Sequence, residues 1–166
     1  MLVFPVKGTS RFINDFAKPR SGGRTHEGID IFAERGTAVV AVDSGLLRFQ
    51  QNALGGNAAT IKTVDGYSYY YAHLDSYEGD SPRTVAPGNV IGYVGDTGNA
   101  KGTSPHLHFQ VSLKDEGTVN PYIELVRVKS GFPADEATTV ESGLTAAKLI
   151  VGGVLATIAF LLIRRR

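Results

Sequence analysis

The chain has 166 residues, 42% hydrophobic and 20% charged, a globular balance that excludes a disordered or collagen-like polymer. Seventeen Lys and Arg against 16 Asp and Glu give a net charge of +1, without the basic field of a nucleic-acid binder. There is no Cys, which excludes disulfide frameworks, thiolate metal sites and Cys nucleophiles and leaves any metal to four His and the carboxylates.

In chain order, Met1–Val6 is a short apolar run with no basic flank, too short for the apolar region of an export signal. Between residues 1 and 125 lie 16 of the 20 Gly, and the apolar runs are short and rich in β-branched and aromatic residues. These runs are Ile29–Phe32, Ala38–Val42, Leu46–Phe49, Ala59–Val64, Tyr67–Tyr71, Val90–Val94 and Leu107–Leu113. No helical period extends for three turns, so the pattern predicts an all-β domain. The clearest hairpin is Ala59–Val64, Asp65-Gly66, Tyr67–His73, where the Asp-Gly pair suits a two-residue type I′ turn. Residues 126–143, with Gly131, Pro133, Ala134, Thr138 and Thr139, read as a linker.

The last part has a different composition. Residues 1–140 hold 13 basic and 15 acidic side chains, a net of −2; residues 141–166 hold 4 basic and 1 acidic, a net of +3. Leu144–Ile163 is 20 residues long with Lys148 as its one charge, followed by Arg164-Arg165-Arg166. A helix of that length spans roughly 30 Å, about a bilayer's hydrocarbon thickness, and predicts a C-terminal transmembrane helix. Gly152 and Ala156 form a small-xxx-small pair that would permit helix–helix contact. A span at this end without an export signal reads as a tail anchor, whereas the Arg triplet prefers the cytoplasmic side; the two signals oppose each other.

All four His fall in short motifs of the β region. In His26-Glu-Gly-Ile-Asp30, an imidazole and a carboxylate four residues apart share one face and can meet at one Zn²⁺. In His106-Leu-His108-Phe, a strand sends both imidazoles to one face and Leu107, Phe109 and Val111 to the other. His73 ends the second arm of the hairpin, in Tyr69-Tyr-Tyr-Ala-His73-Leu. A catalytic zinc site takes three protein ligands and an open position for water. His26, Asp30 and one of His106 and His108 supply that number, leaving the other and His73 to handle protons or a developing oxyanion.

His-x-x-x-Asp, Tyr-Ala-His-Leu, Gly-x-x-Gly-x-Thr-Gly and His-Leu-His-Phe, in this order, resemble the lysostaphin-like (LytM-type) zinc endopeptidases of bacterial cell walls. The likeness runs from about Arg20 to Pro121 and includes Arg20-Ser-Gly-Gly-Arg-Thr-His26 and Asn120-Pro121. It implies an antiparallel β-sheet groove of the lysostaphin-like type, one Zn²⁺ held by His26, Asp30 and His108, and a catalytic pair of His73 and His106. Two features depart from the family pattern: Gln110 stands where Glu is usual, and Asp80–Thr84 lengthens the stretch after His73.

The expected organisation is a zinc endopeptidase domain at 1–125, a linker at 126–143, a transmembrane helix at 144–163 and a basic tail at 164–166. The expected activity is zinc-dependent hydrolysis of peptide bonds in peptidoglycan, cross-bridge or stem. Arg24 and Tyr71 are expected to contact the peptide. The expected partners are peptidoglycan peptide, a lipid membrane and virion or membrane-protein neighbours, with no nucleic acid. The anchor suggests a bacterial membrane or the internal membrane of a phage virion, where the enzyme would open the wall during entry. A non-catalytic zinc-binding wall or regulatory module of the same fold is the alternative. A histidine phosphocarrier is a third reading, opposed by His26-x-x-x-Asp30.

Overall fold

The computed structural model describes residues 2–131. Nine strands form one antiparallel sheet: β1 (Ile29–Phe32), β2 (Ala38–Val40), β3 (Gly45–Asn52), β4 (Gly56–Lys62), β5 (Tyr67–Tyr77), β6 (Arg83–Val85), β7 (Val90–Val94), β8 (His106–Leu113) and β9 (Gly117–Val119). A short helix, α1 (Tyr122–Lys129), follows. The main path runs β1-β8-β5-β4-β3-β6, with β9 beside β8, and β2 beside β7, which joins the far half of β5.

Strand alternation sets the two faces. Ile29, Ile31, Leu47, Ile61, Tyr71, Leu74, Ile91, Leu107 and Phe109 fill the core. Each large side chain so buried contributes roughly 1.5–3 kcal/mol. On β8 the apolar partners Leu107, Phe109 and Val111 point to that core, so His106, His108 and Gln110 are carried to the other face.

β5 belongs to two branches of the sheet. Tyr67–Ala72 pairs with β8, and Leu74–Tyr77 pairs with β7. Between them β5 has one residue more than β4, a bulge that leaves His73 at φ +64°. The close approach of β7 to this bend explains two glycines: a Cβ on Gly92 would lie 2.6 Å from the Ser76 carbonyl oxygen, and one on Gly95 2.4 Å from the Asp75 nitrogen.

Two expectations change, and a third lies beyond the described residues. The β4–β5 connection is not a type I′ turn, which would need a positive φ at Asp65. Thr63 instead pairs with Tyr67 around Val64-Asp65-Gly66, with only Gly66 of the three at positive φ. This is a three-residue loop with its glycine in the left-handed position. The stretch expected as linker from residue 126 is helical through Lys129. Asn120 Oδ1 accepts from the Tyr122 N–H, Leu125 anchors the helix in the core, and Gly131 at φ +71° follows its end. The predicted membrane span at 144–163 and the basic tail lie outside the described residues, among which no helix is long and apolar enough to cross a membrane.

Candidate metal and catalytic site

The two strands that carry the expected ligands are direct neighbours: β1 pairs with β8 in a register that sets Asp30 opposite His108 and Phe32 opposite His106. His26 reaches the same point from the loop before β1. That loop is a small hairpin, with Pro19 bridged to Thr25, the Arg20 N–H donating to the Arg24 carbonyl and the His26 N–H donating to the Lys18 carbonyl.

Three donor atoms converge there. His26 Nε2 lies 2.9 Å from His108 Nδ1 and 3.0 Å from Asp30 Oδ1, and His108 Nδ1 lies 3.1 Å from Asp30 Oδ1. His26 Nδ1 donates to the Asp15 carbonyl at 2.9 Å, with the Asp15 carboxylate at 3.2 Å, so the neutral ring presents its Nε2 lone pair to the cluster. Burial pushes the Asp30 carboxyl up, but the adjoining His108 and His26 rings outweigh that and hold it well below the usual carboxylate range. With neutral rings, at most a single proton is then shared among three mutual contacts. A bound cation would satisfy the lone pairs that remain. Donors of a tetrahedral zinc with bonds of about 2.0–2.1 Å are about 3.3 Å apart, so this nearly equilateral triangle fits after a slight expansion. Among the described residues it is the group of His and carboxylates able to hold a metal.

The other two imidazoles lie beside the triangle at the fork of β5. The His73 and His106 ring centroids are 5.0 Å apart, and the His73 and His108 centroids 6.0 Å. His73 would face the core under strict alternation; the bulge and its left-handed φ turn the residue out of that alternation. His73 Nδ1 donates to the Thr97 carbonyl at 2.9 Å, and His106 Nδ1 to the Ser104 carbonyl at 2.8 Å. Carbonyl oxygens only accept, so each Nδ1 carries a proton, and in its neutral form each ring presents Nε2 as the acceptor. Burial, reinforced by His106 and His108 and opposed by the Thr97 carbonyl, pushes the His73 imidazole down to about 4. Thr97 itself donates to the Leu74 carbonyl and accepts from the Asn57 N–H, tying the loop after β7 to the bend of β5. Gln51, Asn52, Asn57, Thr97 and Gly98 line an open, uncharged cleft on this side.

The structure thus brings His26, Asp30, His108, His73 and His106 together. It does not bring in the two residues expected to contact the peptide. Tyr71 is wholly buried on the core face, and its hydroxyl oxygen accepts from the Val42 N–H at 3.0 Å. The tyrosine on the histidine face is Tyr70, opposite Gln110, with its ring edge-on to His108 at 6.3 Å. Arg24 is exposed and folds back onto Ser21. Asp15 and Arg20, given no role by sequence reasoning, contact the ligand set directly: Arg20 Nη2 lies 2.5 Å from Asp30 Oδ2 and 3.1 Å from Asp15 Oδ2.

Residues 24–121 match the model of peptidase family M23. The chain belongs to this family. It is 36% identical over 126 residues to the DD-carboxypeptidase/endopeptidase Mpg of Neisseria meningitidis, covering 75% of this chain and 27% of that protein. It is 34% identical over 120 residues to the murein hydrolase activator NlpD of Salmonella typhimurium, covering 71% and 29%. The chain therefore spans about a quarter of the length of these curated relatives. The catalytic domain of lysostaphin from Staphylococcus simulans superposes with a TM-score of 0.63 at 29% identity, covering 70% of this chain and 92% of that domain. The M23 chain thus has the mostly antiparallel sheet expected from the motifs, and a lysostaphin-like fold.

Proposed function

We propose that this M23 protein is a zinc-dependent endopeptidase that hydrolyses peptide bonds of peptidoglycan, in the cross-bridge or the stem. The observation that carries the reading is the triangle of His26 Nε2, Asp30 Oδ1 and His108 Nδ1, set beside the His73 and His106 rings, whose Nδ1 atoms are tied to backbone carbonyls. When bound there, Zn²⁺ supplies an acidified water and a Lewis acid for the scissile carbonyl.

The protein's own groups handle the protons. His106, on the same strand as His108, receives the proton of the attacking water at Nε2. His73 also rests with Nε2 as an acceptor, so it donates to an oxyanion or to the leaving amine only after taking up a proton. Its depressed basicity favours giving that proton back. The uncharged cleft along Asn52, Asn57 and Thr97 suits a neutral stretch of peptide backbone.

The test is incubation of the purified chain with peptidoglycan, reading the release of new amino groups with zinc, with a chelator, and in His108→Ala and His106→Ala. Release that requires zinc and both histidines supports the assignment; release that survives both substitutions sinks it. The similarity to a murein hydrolase activator supports a second reading, a module that regulates wall hydrolases. Tight zinc binding with no cleavage of any wall type would favour that reading, and the complete ligand set and paired histidines speak for the enzyme.

Leu144–Ile163 and Arg164–Arg166 further support a membrane tether for the domain. Fractionation of bacterial membranes and of purified phage virions distinguishes a cellular hydrolase from one carried by a virion membrane. Recovery in neither fraction would remove the tether.

A further inference from the structure

Arg20 begins the string that ends at His26, and the hairpin of residues 18–26 folds it back over the metal-binding triangle. A single nitrogen, Nη2, donates to two carboxylates of low exposure, Asp30 at 2.5 Å and Asp15 at 3.1 Å. The side chain itself is 37% exposed, against 8% for Asp30 and 12% for Asp15. The contacts are half-buried, with the carboxylates covered and the guanidinium at the surface. The guanidinium separates two negative groups, one a member of the triangle and the other beside His26 Nδ1. The contacts close into a ring: Asp15, Arg20, Asp30, His26 and back to Asp15.

The two oxygens of Asp30 are therefore divided. Oδ1 points into the triangle and Oδ2 is taken by Arg20. A carboxylate free at both oxygens can ligate a metal through one or both, and the second bond would use the position that hydrolysis needs for water. We propose that Arg20 is a positioning residue that holds Asp30 as a one-oxygen ligand and so keeps a coordination position open. The proposal rests on the zinc reading of the triangle. Outer contacts of this kind orient the ligands of a metal, and their loss typically costs about 10- to 100-fold in affinity or activity.

The experiment measures zinc affinity of the full chain by chelator competition and records the visible spectrum of the cobalt-substituted protein. Wild type is compared with Arg20→Ala and Arg20→Lys. Arg20→Ala should bind zinc about 10- to 100-fold more weakly. Its cobalt absorption should weaken as the coordination number rises, a change that loss of general stability does not produce. Arg20→Lys, which restores a cationic donor, should recover the wild-type spectrum and most of the affinity. Should Arg20→Ala fail to fold, Arg20→Met, which keeps the aliphatic stem without a donor, carries the same expectation. Wild-type affinity and spectrum in the Ala or Met variant overturn the role of Arg20 while leaving the enzyme reading intact. Failure of the wild type to bind zinc or cobalt overturns both.

Discussion

His73 and His106 face each other with ring centroids 5.0 Å apart, each giving its Nδ1 proton to a backbone carbonyl of a neighbouring loop. Neither is held by the atoms of the His26–Asp30–His108 triangle proposed to bind zinc, so substitution of either should separate chemistry from metal binding. His106→Ala and His73→Ala should each lower kcat by about 10²- to 10⁴-fold, with KM and zinc affinity close to wild type. Steady-state kinetics on a soluble wall peptide, with zinc content measured on the same samples, tests this. A parallel loss of zinc would place the histidine among the ligands instead.

The position of His73 also makes it a source of pH-dependent stability. Its imidazole is pushed from 6.5 to about 4 by burial and the neighbouring His106 and His108. Between those values the unfolded chain binds the proton and the folded one does not, so stability rises with pH across the window. The contribution is complete above about 6.5 and lost as pH falls to about 4, on the order of 2–3 kcal/mol. Denaturant unfolding of wild type and His73→Gln, with a chelator present, should show a stability difference that shrinks from pH 7.5 to 4.5. A constant difference across that range would refute the linkage.

The parts of the site carried by strand periodicity were legible in the sequence. His106 and His108 alternate with Leu107 and Phe109, and that alternation reads the same in one dimension as in three. His26-x-x-x-Asp30 was legible as a pair because both residues flank the start of a single strand. Tyr71 was misplaced because three consecutive tyrosines carry no polarity contrast, and the facing of each depends on the register with β8. Asp15 and Arg20 were illegible for another reason. Their contacts come from a hairpin with left-handed Gly22 and Gly23 at its tip, folded against β1, and no periodic pattern marks such a return. The helix after Pro121 is only two turns long, below what hydrophobic periodicity detects, although Asn120 and Gly131 mark its ends.

The exchange of Tyr71 for Tyr70 on the histidine face has opposite consequences for two conservative changes. Tyr71→Phe removes the oxygen that satisfies the buried Val42 N–H, and should cost about 1–3 kcal/mol of stability with KM unchanged. Tyr70→Phe removes a hydroxyl that accepts from Asn52 Nδ2 at the edge of the cleft, and should raise KM with little change in stability. Thermal unfolding and kinetics on the two variants decide the matter. A KM effect in Tyr71→Phe alone would return Tyr71 to the groove.

Gly28 is the point where the ligand geometry depends on the absence of a side chain. It lies between His26 and Asp30, and a Cβ there would fall 2.4 Å from the Phe109 carbonyl oxygen and 2.9 Å from Cε1 of the His108 ring. Neither neighbour can retreat cheaply. The carbonyl belongs to β8, which pairs with β1, and the ring is a proposed metal ligand. Gly28→Ala should therefore cost about 1–3 kcal/mol of stability, as overpacking does, and weaken zinc binding in the same variant. Gly8→Ala is the contrasting variant: unlike Gly28 it sits at positive φ (+89°), and its added Cβ would meet nothing within 4 Å. It should lose stability through backbone strain alone and keep wild-type zinc affinity. Equal zinc affinity in Gly28→Ala and wild type would show that β1 and β8 can part without moving His108.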